Sequence, residues 1–565
     1  VSNKAAITTF VLAALFFAVF FIYPIVTTVK GAFVTEGSEF TFSYIIEVFR
    51  SEIYREGLVN SLRMAVFSTL LSMVIAIPLA IVSDRFLFPG KSLLSSLVLV
   101  PLILPPFVGA IGVKHILGPN GALNSLLSIF GLSDPASPPD WLGENRMLGI
   151  VLMNALHLFP ILYLNVTAAL ANLDPALDEA AENLGCTGWR RFLRVTFPLT
   201  MPGIFAGATI VFIWSFTELG VPLIFDFTRI TSVQIFHGIK DLSGNPFPYA
   251  LVTVTLFTSF LLFAISRRFF GGENFSTSGR ASTGYTARRL PRKWHAYACT
   301  AGFVLIVATA VLPHIGVVLV ALSPDWYGTV LPDGLTLRHF EDALGHEITL
   351  ISIKNSLKYA TLATLVDLVL GVAIAYIVVR TRLPGRGILD TLSMMPLAVP
   401  GLVMAFGYLA MTREGQPLDF LMVGENPLIL LVIAYAVRRL PYVVRSAAAG
   451  FQQTSPSLEQ AAQNLGASPA RALRKITLPL ISANLIAGGM LAFAFAMIEV
   501  SDSLILAQQQ AHFPITKAIY GLARSLGNGE HLSAALGTWA MILLGVTITG
   551  ASILIGKKLG ALFRV

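Results

Sequence analysis

The sequence predicts an all-α polytopic membrane protein built from two parallel repeats of six transmembrane helices. Three observations predict it. Of the 565 residues, 55% are hydrophobic and only 12% are charged, about half the charge of an average soluble chain. Apolar runs such as 6–29 exceed the roughly 20 residues that carry a helix across a bilayer. The third is self-similarity. The stretch EAAENLGCTGWRRFLRVTFPL (Glu179–Leu199) returns 281 residues later as QAAQNLGASPARALRKITLPL (Gln460–Leu480), with nine of the 21 positions identical.

The apolar windows fall in two sets. Those at 6–29, 61–83, 93–116, 147–171, 203–226 and 249–266 make a first half, 1–266. Those at 297–322, 356–379, 390–410, 427–449, 481–507 and 534–555 make a second, 297–565. The opening window is too long for the apolar core of a secretory signal, about 7–15 residues, and no small-residue cleavage site follows, so it is expected to stay as a helix. Between the halves, 267–296 is rich in Gly, Ser, Thr and Arg and reads as a flexible basic linker on the cytoplasmic side.

Lys and Arg placement sets the orientation. With both termini in the cytoplasm, the inside segments hold 22 of the 39 basic residues, while the outer loops carry Glu36, Glu39, Glu47, Glu52 and Glu56. The net charge of +8 is therefore topological, and no nucleic-acid partner is expected. Cys186 and Cys299 form no CxxC pair, which excludes a disulfide framework. The histidines show no metal-ligand spacing, so no metal site is expected.

The halves match beyond the quoted segment. Asn60-Ser61-Leu62 recurs as Asn355-Ser356-Leu357, Pro89-Gly90 as Pro384-Gly385, and Pro101 and Pro105 as Pro396 and Pro400, all at an offset of 295. From Pro160 and Pro441 onward the offset is 281, so the first half carries about 14 extra residues near 119–146. An even number of spans per half leaves both the same way up, related by an axis along the membrane normal.

The repeated polar loops, 172–202 and 450–480, begin as helices. Asp174-Pro175 and Ser455-Pro456 each supply an N-cap with proline in the first turn. Gly185 and Gly466 close those helices. A second short basic helix is expected to follow and to end before Pro198 and Pro479. An amphipathic interfacial hairpin would read the same way in a single copy; two copies at matched positions argue for a dedicated role.

Ionisable residues inside apolar windows are costly and are functional candidates by default. Glu218 and Glu499 align at offset 281, as do His157 and Arg438. Each glutamate sits about 15 residues into its fifth window, roughly 22 Å from the cytoplasmic side. Across the pseudo-twofold axis the two are placed to face one another in a translocation pathway. Pairing with a neighbouring helix is the alternative for all four. RFLFPGKS at Arg85–Ser92 ends like a phosphate-binding loop, but arginine stands where its first glycine is required and no strand precedes it. It reads as a cytoplasmic turn, leaving the chain without an ATP site.

The spacing EAA, three residues, Gly, nine residues, I-x-L-P resembles the coupling motif of binding-protein-dependent ABC importer permeases. The first copy is Glu179-Ala180-Ala181, Gly185 and Val195-Thr196-Phe197-Pro198; the second is Gln460-Ala461-Ala462, Gly466 and Ile476-Thr477-Leu478-Pro479. The resemblance implies a type I ABC importer permease fold with both halves fused, in the bacterial cytoplasmic (inner) membrane. It implies coupling helices that dock on two ATP-binding subunits, and a substrate-binding protein outside. ATP and Mg would bind those partner subunits, with no cofactor on this chain. The fused arrangement most resembles iron(III) transport permeases; phosphonate, sugar-phosphate and thiamine permeases share it. Gln460 departs from the motif glutamate, although Glu459 stands one residue earlier. The rival class is a secondary transporter of the twelve-helix parallel-repeat type, which has no use for two such loops.

Overall fold

The computed structural model describes residues 3–35, 39–103, 105–143, 146–239, 245–270, 288–289 and 293–555. Of the expected linker, 271–287 and 290–292 lie outside the described residues. The fold is all-α. Extended pairing among the described residues is confined to Phe86–Leu87 beside Arg288–Arg289 and a single bridge between Val34 and Phe40.

Among the described residues, eight helices are individually long and apolar enough to span a membrane: Lys4–Phe33, Glu52–Arg85, Arg146–Ala171, Gly188–Ile224, Phe247–Ile265, Lys293–Leu322, Glu347–Arg380 and Gly529–Gly550. Three further windows are bent pairs, Lys91–Leu102 with Pro106–Ile129, Arg386–Leu397 with Gly401–Met411, and Pro469–Leu480 with Ser482–Met497. Leu428–Gln453, whose apolar run carries Arg438, Arg439 and Arg445, occupies the remaining window. Each of the twelve expected windows is thus helical.

Two details differ from expectation. The third window of each repeat is not one helix but turns by 95° and 101°. The turns fall at Pro105 and Pro400, whose backbones are extended; proline has no amide to continue the preceding helix and suits the start of the next. The short basic helix of each polar loop also does not end before Pro198 or Pro479. It runs on through π-helical turns, Phe192–Thr196 and Leu473–Thr477, so that each proline sits in the first turn of the next helix. The wider turn absorbs the hydrogen bond that proline cannot make.

The chain forms two compact units. One is drawn from Val1–Arg55, Ser232–Leu256 and Arg338–Leu562, the other chiefly from Glu56–Thr231 and Phe257–Leu337. In the first unit the chain's opening span packs on Gly401–Met411: Tyr408 Oη donates to the Phe20 carbonyl at 2.8 Å, and a Cβ on Gly407 would lie 2.8 Å from the Pro24 carbonyl oxygen. In the second unit Lys293–Leu322 packs on Pro106–Leu117 in the same manner, with Gly112 against the backbone of Pro313 and Val317. Each repeat's first span therefore sits on the third span of the other repeat. Only glycine permits backbones to pass this closely, and in lipid close packing replaces the hydrophobic effect as the glue between helices.

Candidate coupling loops and a buried charge cluster

The two polar loops share one construction. In the first, Pro175–Asn183 is capped by Asp174, whose carboxylate accepts from the Ala176 amide at 2.9 Å. In the second, Pro456–Asn464 is capped by the Ser455 hydroxyl. Both helices end in a Schellman motif. Gly185 (φ +76°) donates to the Glu182 carbonyl and Cys186 to Ala181; Gly466 (φ +88°) donates to Gln463 and Ala467 to Ala462, all at 2.9–3.0 Å. The glycines are needed for their left-handed backbone, not for space, since no atom lies within 4 Å of a Cβ built on either. Just before them, Leu184 and Leu465 stand 86% and 90% exposed. The motif leaves the same leucine almost bare at the matching point of both loops.

Of the residues singled out in these loops, Glu179, Ala180, Gln460 and Ala461 are exposed, Ala462 is half-buried and Ala181 is buried. Glu459 does not substitute for the missing motif glutamate at the surface. It is buried, pairing with Arg380 Nε at 3.2 Å and accepting from Thr477 Oγ1 at 3.0 Å. Arg380 also donates to the Thr454 carbonyl at 2.6 Å. In the first loop the counterpart contact is Arg85 to Thr196 Oγ1 at 2.9 Å, and Glu182 pairs with Arg191.

The glutamates of the fifth windows stand at matching breaks in the helix. Phe197–Phe216 stops just before Glu218, and Ser482–Met497 just before Glu499; short helices, Gly220–Ile224 and Ser501–Leu506, follow. The side chains then diverge. Glu218 is half-buried and accepts from the Gly220 and Val221 amides at 3.0 and 3.2 Å. Glu499 is buried and pairs with Arg438 at 2.6 Å and with Arg439. Two residues chosen separately from the sequence, Arg438 and Glu499, are thus one ion pair. Asp502 Oδ2 stands 3.8 Å from Arg438. The carbonyl freed at the break accepts from Ser503 Oγ at 2.5 Å and Thr516 Oγ1 at 2.7 Å. Arg438 also lies flat against Gly401, where any Cβ would collide with its guanidinium. His157, its counterpart, is half-buried with Nδ1 2.7 Å from the Pro101 carbonyl.

Sequence reasoning missed Asp367 and Asp502, both fully buried. Asp367 lies in electrostatic reach of Arg439. The signal that picked out Glu218, a carboxylate inside an apolar window, applies equally to both. In the Arg85–Ser92 turn Gly90 is left-handed (φ +76°) and Lys91 Nζ donates to the Phe86 carbonyl at 3.0 Å, while Phe86–Leu87 pairs with Arg288–Arg289.

With this geometry in place, residues 72–271 and 367–559 match the family described as binding-protein-dependent transport system inner membrane component. The chain belongs to that family. Among similar proteins, a putative ferric transport system permease of Haemophilus influenzae is 29% identical over 82% of this chain and 71% of its own length. A ferric transport system permease of Actinobacillus pleuropneumoniae is 28% identical, over 82% of this chain and 65% of its own length. A molybdenum transport system permease of H. influenzae is 37% identical over 29% of this chain and 69% of its own length. The chain is thus a fused, multi-pass inner-membrane permease, and its two family segments each contain one of the capped loops and one of the broken fifth spans.

Proposed function

We propose that this permease forms the transmembrane path of an ATP-driven importer of iron(III), with two ATP-binding subunits docked on 172–202 and 450–480 and a substrate-binding protein delivering cargo from outside. The carrying observation is the pair of Schellman-closed helices, each presenting an exposed leucine at the same point of a repeated loop. Glu179, Ala180, Ala181 and Gly185, with Gln460, Ala461, Ala462 and Gly466, belong to those docking surfaces. ATP and Mg bind the partner subunits and hydrolysis occurs there. The ion class rests on the two ferric permeases that are similar over most of the chain. Glu218 and His157, half-buried, are the residues we place along the pathway; Arg438 and Glu499 frame it as a neutralised pair.

Co-purification from membranes in mild detergent, followed by native mass spectrometry, tests the assembly. Two copies of an ATP-binding protein per chain are expected. A chain that stays alone with a non-hydrolysable ATP analogue present overturns the reading in favour of a gradient-driven carrier. Ferric ion delivered on the binding protein is then expected to stimulate ATP hydrolysis in the reconstituted complex, with molybdate as the competing cargo class.

A further inference from the structure

The Asn-Ser pair that recurs as Asn60-Ser61 and Asn355-Ser356 has a structural task in both repeats. Each pair lies near the outer end of the repeat's second span, Glu52–Arg85 or Glu347–Arg380. Asn60 Nδ2 donates to the Arg229 carbonyl at 2.8 Å, and Ser61 Oγ accepts from the Thr231 amide at 3.1 Å. Asn355 Nδ2 donates to the Ala511 and Phe513 carbonyls at 2.9 and 3.2 Å, and Ser356 Oγ accepts from the Ile515 amide at 2.7 Å. Tyr359 adds a bond to the His512 carbonyl at 3.2 Å. Thr231 and Ile515 open the second helices beyond the glutamate breaks, Thr231–Gly238 and Ile515–Ala523. The serine thus caps, from another span, the first turn of a helix, where amides have no acceptor within the helix itself.

The inner ends of the same two helices hold the coupling loops. Arg85 closes Glu52–Arg85 and reaches Thr196, and Arg380 closes Glu347–Arg380 and holds Glu459 and the Thr454 carbonyl. Twenty-five residues separate Asn60 from Arg85 and Asn355 from Arg380, about 37 Å at 1.5 Å per residue. A continuous helix tied at both ends by side-chain hydrogen bonds moves its two attachments together.

We propose that the second span of each repeat is a connecting rod, with Arg85 and Arg380 as inner pins and Asn60-Ser61 and Asn355-Ser356 as outer pins. It carries displacement of a coupling loop to the segment beyond the glutamate break, and engagement of the outer segment back to the loop. This rests on the coupling-loop reading given above. Glu347–Arg380 is the stiffer rod, because Glu52–Arg85 contains Pro78, which removes a hydrogen bond from the helix interior.

A double-mutant cycle tests it in the full complex of permease, ATP-binding subunits and iron-loaded binding protein in proteoliposomes. Asn355→Leu with Ser356→Ala frees the outer pin; Arg380→Met frees the inner one. Each is expected to cut the binding-protein stimulation of ATP hydrolysis about tenfold, and the outer variant to leave unstimulated hydrolysis unchanged. All three substitutions together are expected to cost no more than the worse set alone. Sites this far apart are normally independent and their effects multiply, so multiplied losses overturn the rod, as does full stimulation in the outer variant. Ser356→Thr, which keeps the hydroxyl, is expected to restore stimulation; if it does not, the bond to Ile515 is not the pin. Should either variant lose its fold, the Asn60→Leu, Ser61→Ala and Arg85→Met cycle in the other repeat gives the same reading. Failure of the unsubstituted chain to bind ATP-binding subunits is a separate outcome, and it removes the loop reading and the rod with it.

Discussion

At the scale of single residues, Glu218 and Glu499 show how one sequence position takes two roles. Both follow matching helix breaks, yet Glu218 spends its carboxylate on two backbone amides whereas Glu499 pairs with two arginines. Removing one partner of a buried ion pair leaves charge stranded and costs about 3–5 kcal/mol. Glu499→Gln is therefore expected to lower stability by that much in denaturant titrations of the detergent-solubilised chain. Glu218→Gln keeps an acceptor oxygen at the same place and is expected to cost about 1 kcal/mol or less. Equal losses in the two variants would contradict this division of roles. The alignment of His157 with Arg438 was visible in the sequence, but the partner of each was not. Which side chain a buried charge meets depends on how Leu428–Gln453 packs against the break, and spacing along one helix carries no record of that.

At the scale of elements, the polar loops were the most legible part of the chain because every instruction in them is local. Asp174-Pro175 and Ser455-Pro456 start the helices, and Gly185 and Gly466 end them, each acting within one turn. The bends at Pro105 and Pro400 were less legible. A proline inside an apolar window suits a kinked span and a broken one equally, and hydropathy does not separate them. The loop glycines carry a sharp expectation. A β-branched residue held in the left-handed region costs roughly 1–2 kcal/mol, and the space around Gly185 and Gly466 is open. Gly185→Val and Gly466→Val should therefore reshape only the loop, leaving the membrane-embedded helices folded and inserted. Retention of ATP-binding subunits on co-purification is expected to fall at least tenfold in each. Full retention in both would show that the Schellman geometry is not what the partner reads.

At the scale of the whole molecule, the twofold repeat was legible from offsets alone, whereas the two compact units were not. The opening span of each repeat contributes to the unit of the other, and sequence similarity within a repeat does not reveal contacts made outside it. Such an exchange ties the first span's packing to Gly407 and Gly112, where no side chain fits. Gly407→Leu is accordingly expected to expel Lys4–Phe33 from its seat, because the added atoms would meet the Pro24 backbone, which cannot turn aside as a side chain can. Overpacking of this kind costs about 1–3 kcal/mol or more. The readout is a cross-link by a bifunctional thiol reagent between Phe20→Cys and Tyr408→Cys, positions joined in the native packing by the Tyr408 hydroxyl donating to the Phe20 carbonyl. The cross-link should form in the chain with Gly407 intact and be lost in Gly407→Leu, while Gly407→Ala gives an intermediate yield. Equal yields in all three would mean that the span is held by lipid and loop connections, and that close backbone contact is incidental to the architecture.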